Sequence, residues 1–194
     1  MDQIALTKLR KKVKEHLDKE RYQHTLGVMY TAASLAMCHG ADLSQAMYAG
    51  LLHDCAKCIP NDQKLNLCRK FQLNVSEIEE RNPGLLHAKL GAALTWNKYG
   101  IKDEQICHSI EVHTTGCPEM NLLDQIIYIA DYIEPGRCEA PRLDHIRKLA
   151  YQDLDLCMYY ILEDSLSYIR LRGFPMDPMT EQTYQYYKTI IQNR

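Results

Sequence analysis

The 194-residue sequence predicts an all-α fold, and three observations carry that prediction. Apolar residues recur at spacings of three and four through most of the chain, no stretch keeps the strict alternation of a half-buried strand, and glycine or proline closes several of the periodic segments. Leu6, Leu9, Val13 and Leu17 mark one face of a first helix. A second runs from about Arg21 to His39 through Leu26, Val28, Met29, Leu35 and Met37, with Gly40 as a left-handed cap. Ser44, after Asp42, opens a third through Ala46, Ala49, Leu51 and Leu52. Further helices are expected from about His87 to Tyr99, ended by Gly100, and from near Asp103 to His113. Leu122 to Ile133 is strongly apolar and stops at Glu134-Pro135-Gly136, because proline lacks an N–H and disfavours α geometry in the residue before it. Asp153 to Arg172 forms a long helix, and Thr180 caps a last one. The sum is a bundle of about seven to ten helices. Residues 1–194 read as a single domain, with the helices of 153–194 packed on it.

Composition narrows the function. With 23 Lys+Arg against 25 Asp+Glu the net charge is −2, which argues against nucleic-acid binding, since that needs a basic excess to displace counterions. No apolar run approaches the ~20 residues that span a bilayer, and Met1 to Lys12 alternates too much to be a signal peptide. The eight cysteines are scattered, which reads as reduced thiols in a cytoplasmic protein. Cys55 and Cys58 form a CxxC with no second pair at zinc-ribbon spacing, so a buried apolar role is expected for them.

The chemistry lies in histidine and aspartate. His53-Asp54 ends the apolar stretch Ala49-Gly50-Leu51-Leu52, and Asp131 sits inside Ile126-Ile127-Tyr128-Ile129-Ala130-Asp131-Tyr132-Ile133. Ionisable groups in such surroundings are costly unless paired, protonated or bound to a cation. Imidazole and carboxylate together suit Fe, Mn, Zn and similar ions. His24, His87 and His113 are each unremarkable alone; His16, His39, His108 and His145 are read as ordinary surface or core residues.

The ordered set His24, His53-Asp54, His87, His113, Asp131 resembles an HD-domain metal-dependent phosphohydrolase. More narrowly, four segments resemble the YqeK family: Arg21-Tyr22-Gln23-His24-Thr25-Leu26-Gly27-Val28, His53-Asp54-Cys55-Ala56-Lys57, His113-Thr114-Thr115-Gly116 and Ala130-Asp131-Tyr132-Ile133-Glu134-Pro135-Gly136-Arg137. The chain departs from that family at Cys138-Glu139-Ala140, where a more aromatic, Pro-Gly-containing sequence is expected. The resemblance implies symmetrical hydrolysis of diadenosine tetraphosphate to two ADP. It also implies two divalent ions, iron by preference with Mn or another ion able to substitute. His24, His53, Asp54 and Asp131 would hold one, and His87, His113 and a bridging Asp54 the other. His53, Asp54 and Lys57 would be catalytic. His24, His87 and Asp131 would also face the nucleotide.

Phosphoanhydride hydrolysis needs a hydroxide and relief of phosphate charge, and a metal lowers the pKa of bound water from 15.7 toward about 7. Lys57, one turn after His53 if the helix persists, and Arg21 and Arg137 are candidate phosphate clamps. Thr114 offers a hydroxyl beside His113. Gly173, Phe174, Pro175 and Met176 form an irregular stretch with one aromatic, a candidate nucleobase contact. Competing readings are a phosphatase of mononucleotides or guanosine alarmones, a non-catalytic nucleotide-sensing module, and RNA binding. A homodimer is the expected assembly.

Overall fold

A computed structural model describes residues 3–194; the reading of the N-terminus therefore falls partly on Met1 and Asp2, outside the described residues. The expected helix count is too low. Eleven α-helices occur among the described residues, ten of them seven residues or longer: α1 Gln3–Lys14, α2 Lys19–His39, α3 Leu43–Leu52, α4 Asn61–Lys70, α5 Glu77–Arg81, α6 His87–Asn97, α7 Glu104–Val112, α8 Leu122–Ile133, α9 Leu143–Leu149, α10 Leu154–Arg172 and α11 Pro178–Gln192. A 3-10 turn at Pro83–Leu86 leads into α6. The described residues contain no strand, and none of the helices is long and apolar enough to cross a membrane.

Short polar side chains start most of these helices. Asp18, Asp42, Asp103, Asn121 and Asp153 each accept a backbone N–H of the first turn, which satisfies donors a helix leaves open. Two expected caps move upstream: Asp42 rather than Ser44 caps α3, and Asp177 rather than Thr180 caps α11. Gly40 ends α2 with φ 75°, as its position predicts.

The centre is built by α2, α3, α7 and α8, which pack on one another; α6 lies on α7, α10 on α8, and α11 on α10. α2 and α3 approach so closely that a Cβ at Gly50 would stand 2.8 Å from the Met29 Cα, so only glycine fits there. Leu6, Leu9, Val13 and Leu17 are buried as one face, and one apolar cluster continues through α2, α3, α6, α7, α8 and α10 to Tyr187 of α11. All eight cysteines are free. Cys55 is buried as expected, whereas Cys58 is exposed, its Sγ 3.3 Å from an Asp18 carboxylate oxygen.

Candidate metal centre

Six side chains from five separate segments converge at the middle of the bundle. His24 stands on α2. His53 and Asp54 follow the end of α3, His87 opens α6, His113 caps α7, and Asp131 lies on the last turn of α8. α3 does not continue to Lys57: after Leu52 the chain makes tight turns, with the Lys57 N–H on the Asp54 carbonyl at 2.9 Å. Lys57 still points inward, its Nζ 3.8 Å from Asp54 Oδ1 and 3.0 Å from His87 Nε2.

The Asp54 carboxylate divides the cluster. Its Oδ2 faces His53 Nε2 at 3.4 Å, His24 Nε2 at 3.8 Å and Arg21 at 2.8 Å. Its Oδ1 faces His87 Nε2 at 3.3 Å and His113 Nε2 at 3.8 Å. Asp131 Oδ1 completes the first half, 3.0 Å from His24 Nε2 and 3.9 Å from His53 Nε2.

Each imidazole is turned inward by its other nitrogen. His53 Nδ1 donates to the Gly50 carbonyl at 2.8 Å, His87 Nδ1 to Gly84 at 2.6 Å and His113 Nδ1 to Ile110 at 2.6 Å. A carbonyl only accepts, so Nδ1 carries the hydrogen and the Nε2 lone pair is left facing the centre. His24 Nδ1 meets the Glu134 carboxylate at 3.1 Å. Such outer partners fix the tautomer of metal-ligating histidines.

The electrostatics point the same way. Burial pushes the Asp54 carboxyl upward, but His53, His113 and Lys57 outweigh it and hold Asp54 well below the usual carboxylate range. Asp131 is likewise raised by burial and lowered further by His24 and His53, with a net downward shift. Burial, then the charges of Lys57 and His113, depress His87 and keep it neutral. The result is ionised carboxylates beside a neutral His87 imidazole.

That donor set fits divalent cations. His24 Nε2, His53 Nε2 and Asp54 Oδ1 are buried without a well-formed hydrogen bond, and His87 and His113 aim Nε2 atoms at each other across 3.2 Å. Two lone pairs facing each other repel unless a proton or cation lies between them. Ligand atoms of His24, His53 and Asp131, and separately of His53, Asp54 and His113, lie within 4.8 Å of one another.

Cations and hydroxyls ring the centre. Arg137 holds Asp131 Oδ1 at 3.2 Å, and the Thr114 hydroxyl lies 3.2 Å from His87 Nε2 and 3.3 Å from His113 Nε2. A cavity of about 180 Å³ opens beside them, with Tyr128, Tyr132 and Ile161 among its walls. The candidate nucleobase stretch lies elsewhere. Gly173 caps α10, Phe174 is exposed with its ring 6.3 Å from Tyr168, and Met176 lines a separate depression with Pro118 and Pro178. The sequence reading gave no role to Glu134, Tyr128, Tyr132 or Ile161. Glu134 left one signal, an acid three residues after Asp131 and hence on the same helical face.

Helical bundle and His/Asp cluster together define an HD domain. The HD domain family model matches residues 21–136, from Arg21 of the Asp54 pair to Gly136 after α8, and the chain belongs to that family. Its relatives are more particular. It is 38% identical over 174 residues to the symmetrical bis(5'-nucleosyl)-tetraphosphatase of Bacillus subtilis strain 168, covering 90% of this chain and 92% of that one. It is 40% identical over 172 residues to the protein of the same name from Halalkalibacterium halodurans, covering 89% and 91%. A crystal structure from Clostridium acetobutylicum, described as a "predicted HD superfamily hydrolase involved in NAD metabolism", superposes with a TM-score of 0.91 at 37% identity over 97% of each chain.

Proposed function

We propose that this chain is a symmetrical bis(5'-nucleosyl)-tetraphosphatase, which adds one water to diadenosine tetraphosphate and releases two ADP. Two things support the reading: relatives that carry this activity match about nine-tenths of the chain, and the Asp54 carboxylate stands with one oxygen toward each half of the imidazole cluster. The second observation carries the mechanism. His24, His53, Asp54 and Asp131 would hold one divalent ion, and His87, His113 and Asp54 the other; iron would suit this imidazole–carboxylate set and manganese could replace it. Bound there, the ions supply the acidity that yields a hydroxide nucleophile near neutral pH.

The chain's own residues do the rest. The hydroxide adds to one of the two central phosphorus atoms, the bond from that atom to the central bridging oxygen breaks, and ADP leaves with that oxygen. Lys57, Arg21 and Arg137 take up the phosphate charge at the rim, as planar or point-charge donors do in other phosphoryl transfers. The Thr114 hydroxyl orients a phosphate oxygen over His87 and His113. The burial of His53 and Asp54, 0% and 2% exposed, keeps bulk water from competing at the centre. Chromatography of the products from metal-replete enzyme tests the reading: two ADP are expected, and AMP with ATP would contradict it.

A further inference from the structure

We propose that the groove running from Thr114 past α6 and α7 to the start of α11 seats the second nucleoside of the dinucleoside substrate, an inference that rests on the functional reading above. Cleavage at the centre of a symmetrical tetraphosphate leaves two equal arms, each ending in a nucleoside. Both arms need a place, and the cavity beside Tyr128 and Tyr132, at about 180 Å³, is too small for two. A second groove of about 390 Å³ lies on the other side of Thr114, which lines both. Thr114, whose hydroxyl lies 3.2 Å from His87 Nε2 and 3.3 Å from His113 Nε2, is thus a wall common to both cavities and stands beside the cluster, where the centre of such a substrate must lie.

The lining of the larger groove suits a nucleoside rather than phosphate. Leu85, Ala88, Val112 and Met179 supply apolar wall, and Met179 is 38% exposed. Its basic side chains are already engaged: Lys89 Nζ is 2.7 Å from Glu79, and His108 Nδ1 is 3.0 Å from Asp124. Exposed Glu111 on α7 and Asp177 at the start of α11 add further acid. A phosphate would be repelled there. Ribose hydroxyls and an exocyclic amine, all donors, would find carboxylate acceptors against a flat apolar surface.

The test compares diadenosine tetraphosphate with adenosine 5'-tetraphosphate, which has the same phosphate chain and one nucleoside, in wild type, Glu111→Ala and Met179→Trp. Both substitutions are on exposed helix positions, and circular dichroism checks the fold. Wild type should favour the dinucleoside, and each variant should lower the kcat/KM ratio of the two substrates by about tenfold, mainly through KM on the dinucleoside. An unmoved ratio in both variants, with wild type still giving two ADP, overturns this inference alone. Products other than two ADP from wild type overturn the functional reading and this inference with it.

Discussion

Eight histidines are spread along the chain, and the contacts their rings make set those of the centre apart from the others. His53, His87 and His113 tie Nδ1 to a carbonyl three residues back and send Nε2 to the centre. His39 spends Nε2 on the Ala150 carbonyl at 2.7 Å, His108 spends Nδ1 on Asp124 at 3.0 Å, and His145 packs edge-on against Tyr160. His24 differs again, because its Nδ1 partner is a carboxylate, Glu134. Glu134 is buried, 4% exposed, and its carboxylate is fixed by the Gly136 N–H at 2.6 Å; a Cβ at Gly27 would collide with it. Glu134 therefore positions His24. Glu134→Ala is expected to weaken Mn²⁺ binding about 10- to 100-fold, with Glu134→Gln retaining most of it because the amide oxygen still accepts from Nδ1. Titration of metal into the apo protein reads this out; wild-type affinity in Glu134→Ala would contradict the role. Of the proposed ligands, His53-Asp54 and Asp131 were legible because ionisable groups in apolar runs are conspicuous, whereas His24, His87 and His113 stood out only as members of the ordered set. Glu134 was not, because Pro135-Gly136 explained it as a helix stop.

Elements bring these residues together, and α9 shows how an unforeseen one matters. Arg147 on α9 donates to the carbonyls of Ile133, Glu134 and Arg137, each at 3.0 Å, and so clamps the chain where α8 ends. Arg137 and Glu134 both depend on that turn. Arg147→Ala should raise KM for the tetraphosphate about tenfold while bound metal is unchanged, since the clamp orients Arg137 rather than the ligands on α8. Steady-state kinetics with elemental analysis decides it; equal loss of metal and activity would place the clamp's effect on the ligands instead. The sequence reading missed α4, α5 and α9 for separate reasons. α4 reads Asn-Asp-Gln-Lys-Leu-Asn-Leu-Cys-Arg-Lys, too polar to show a stripe, although Lys64 and Cys68 are buried. α5 has five residues, stabilised by a Ser76–Glu79 capping box. α9 has seven and starts after Arg142 at φ 52°, a left-handed position seldom occupied by arginine; ion pairs to Glu163 and Asp164 and a ring contact with Tyr160 hold it there. Helices α2, α8 and α10 were legible because apolar residues continue through several of their turns.

At the scale of the molecule, the fold does one thing for the chemistry: it lets α2, α3, α6, α7 and α8 end or pass at one point in an otherwise apolar interior. Residues from His24 to Asp131, over a hundred positions apart, meet there. Apolar packing positions them, and the uncompensated donors at the centre make the assembly fit cations rather than close on itself. Tertiary convergence of this kind cannot be read from periodicity; only the ordered set of residues suggested it. The cavities were beyond sequence reasoning for the same reason, since Tyr128, Thr114 and Met179 come from helices that meet only in the fold. The most direct measurement is ADP release from diadenosine tetraphosphate by metal-replete wild type and Asp54→Ala, with metal content and helicity determined on the same samples. The account predicts about two ions per chain and ADP as sole product in wild type, and at least a ~10³-fold slower reaction with most of the metal lost in Asp54→Ala while helicity survives. Undiminished ADP release by a folded Asp54→Ala protein would contradict it.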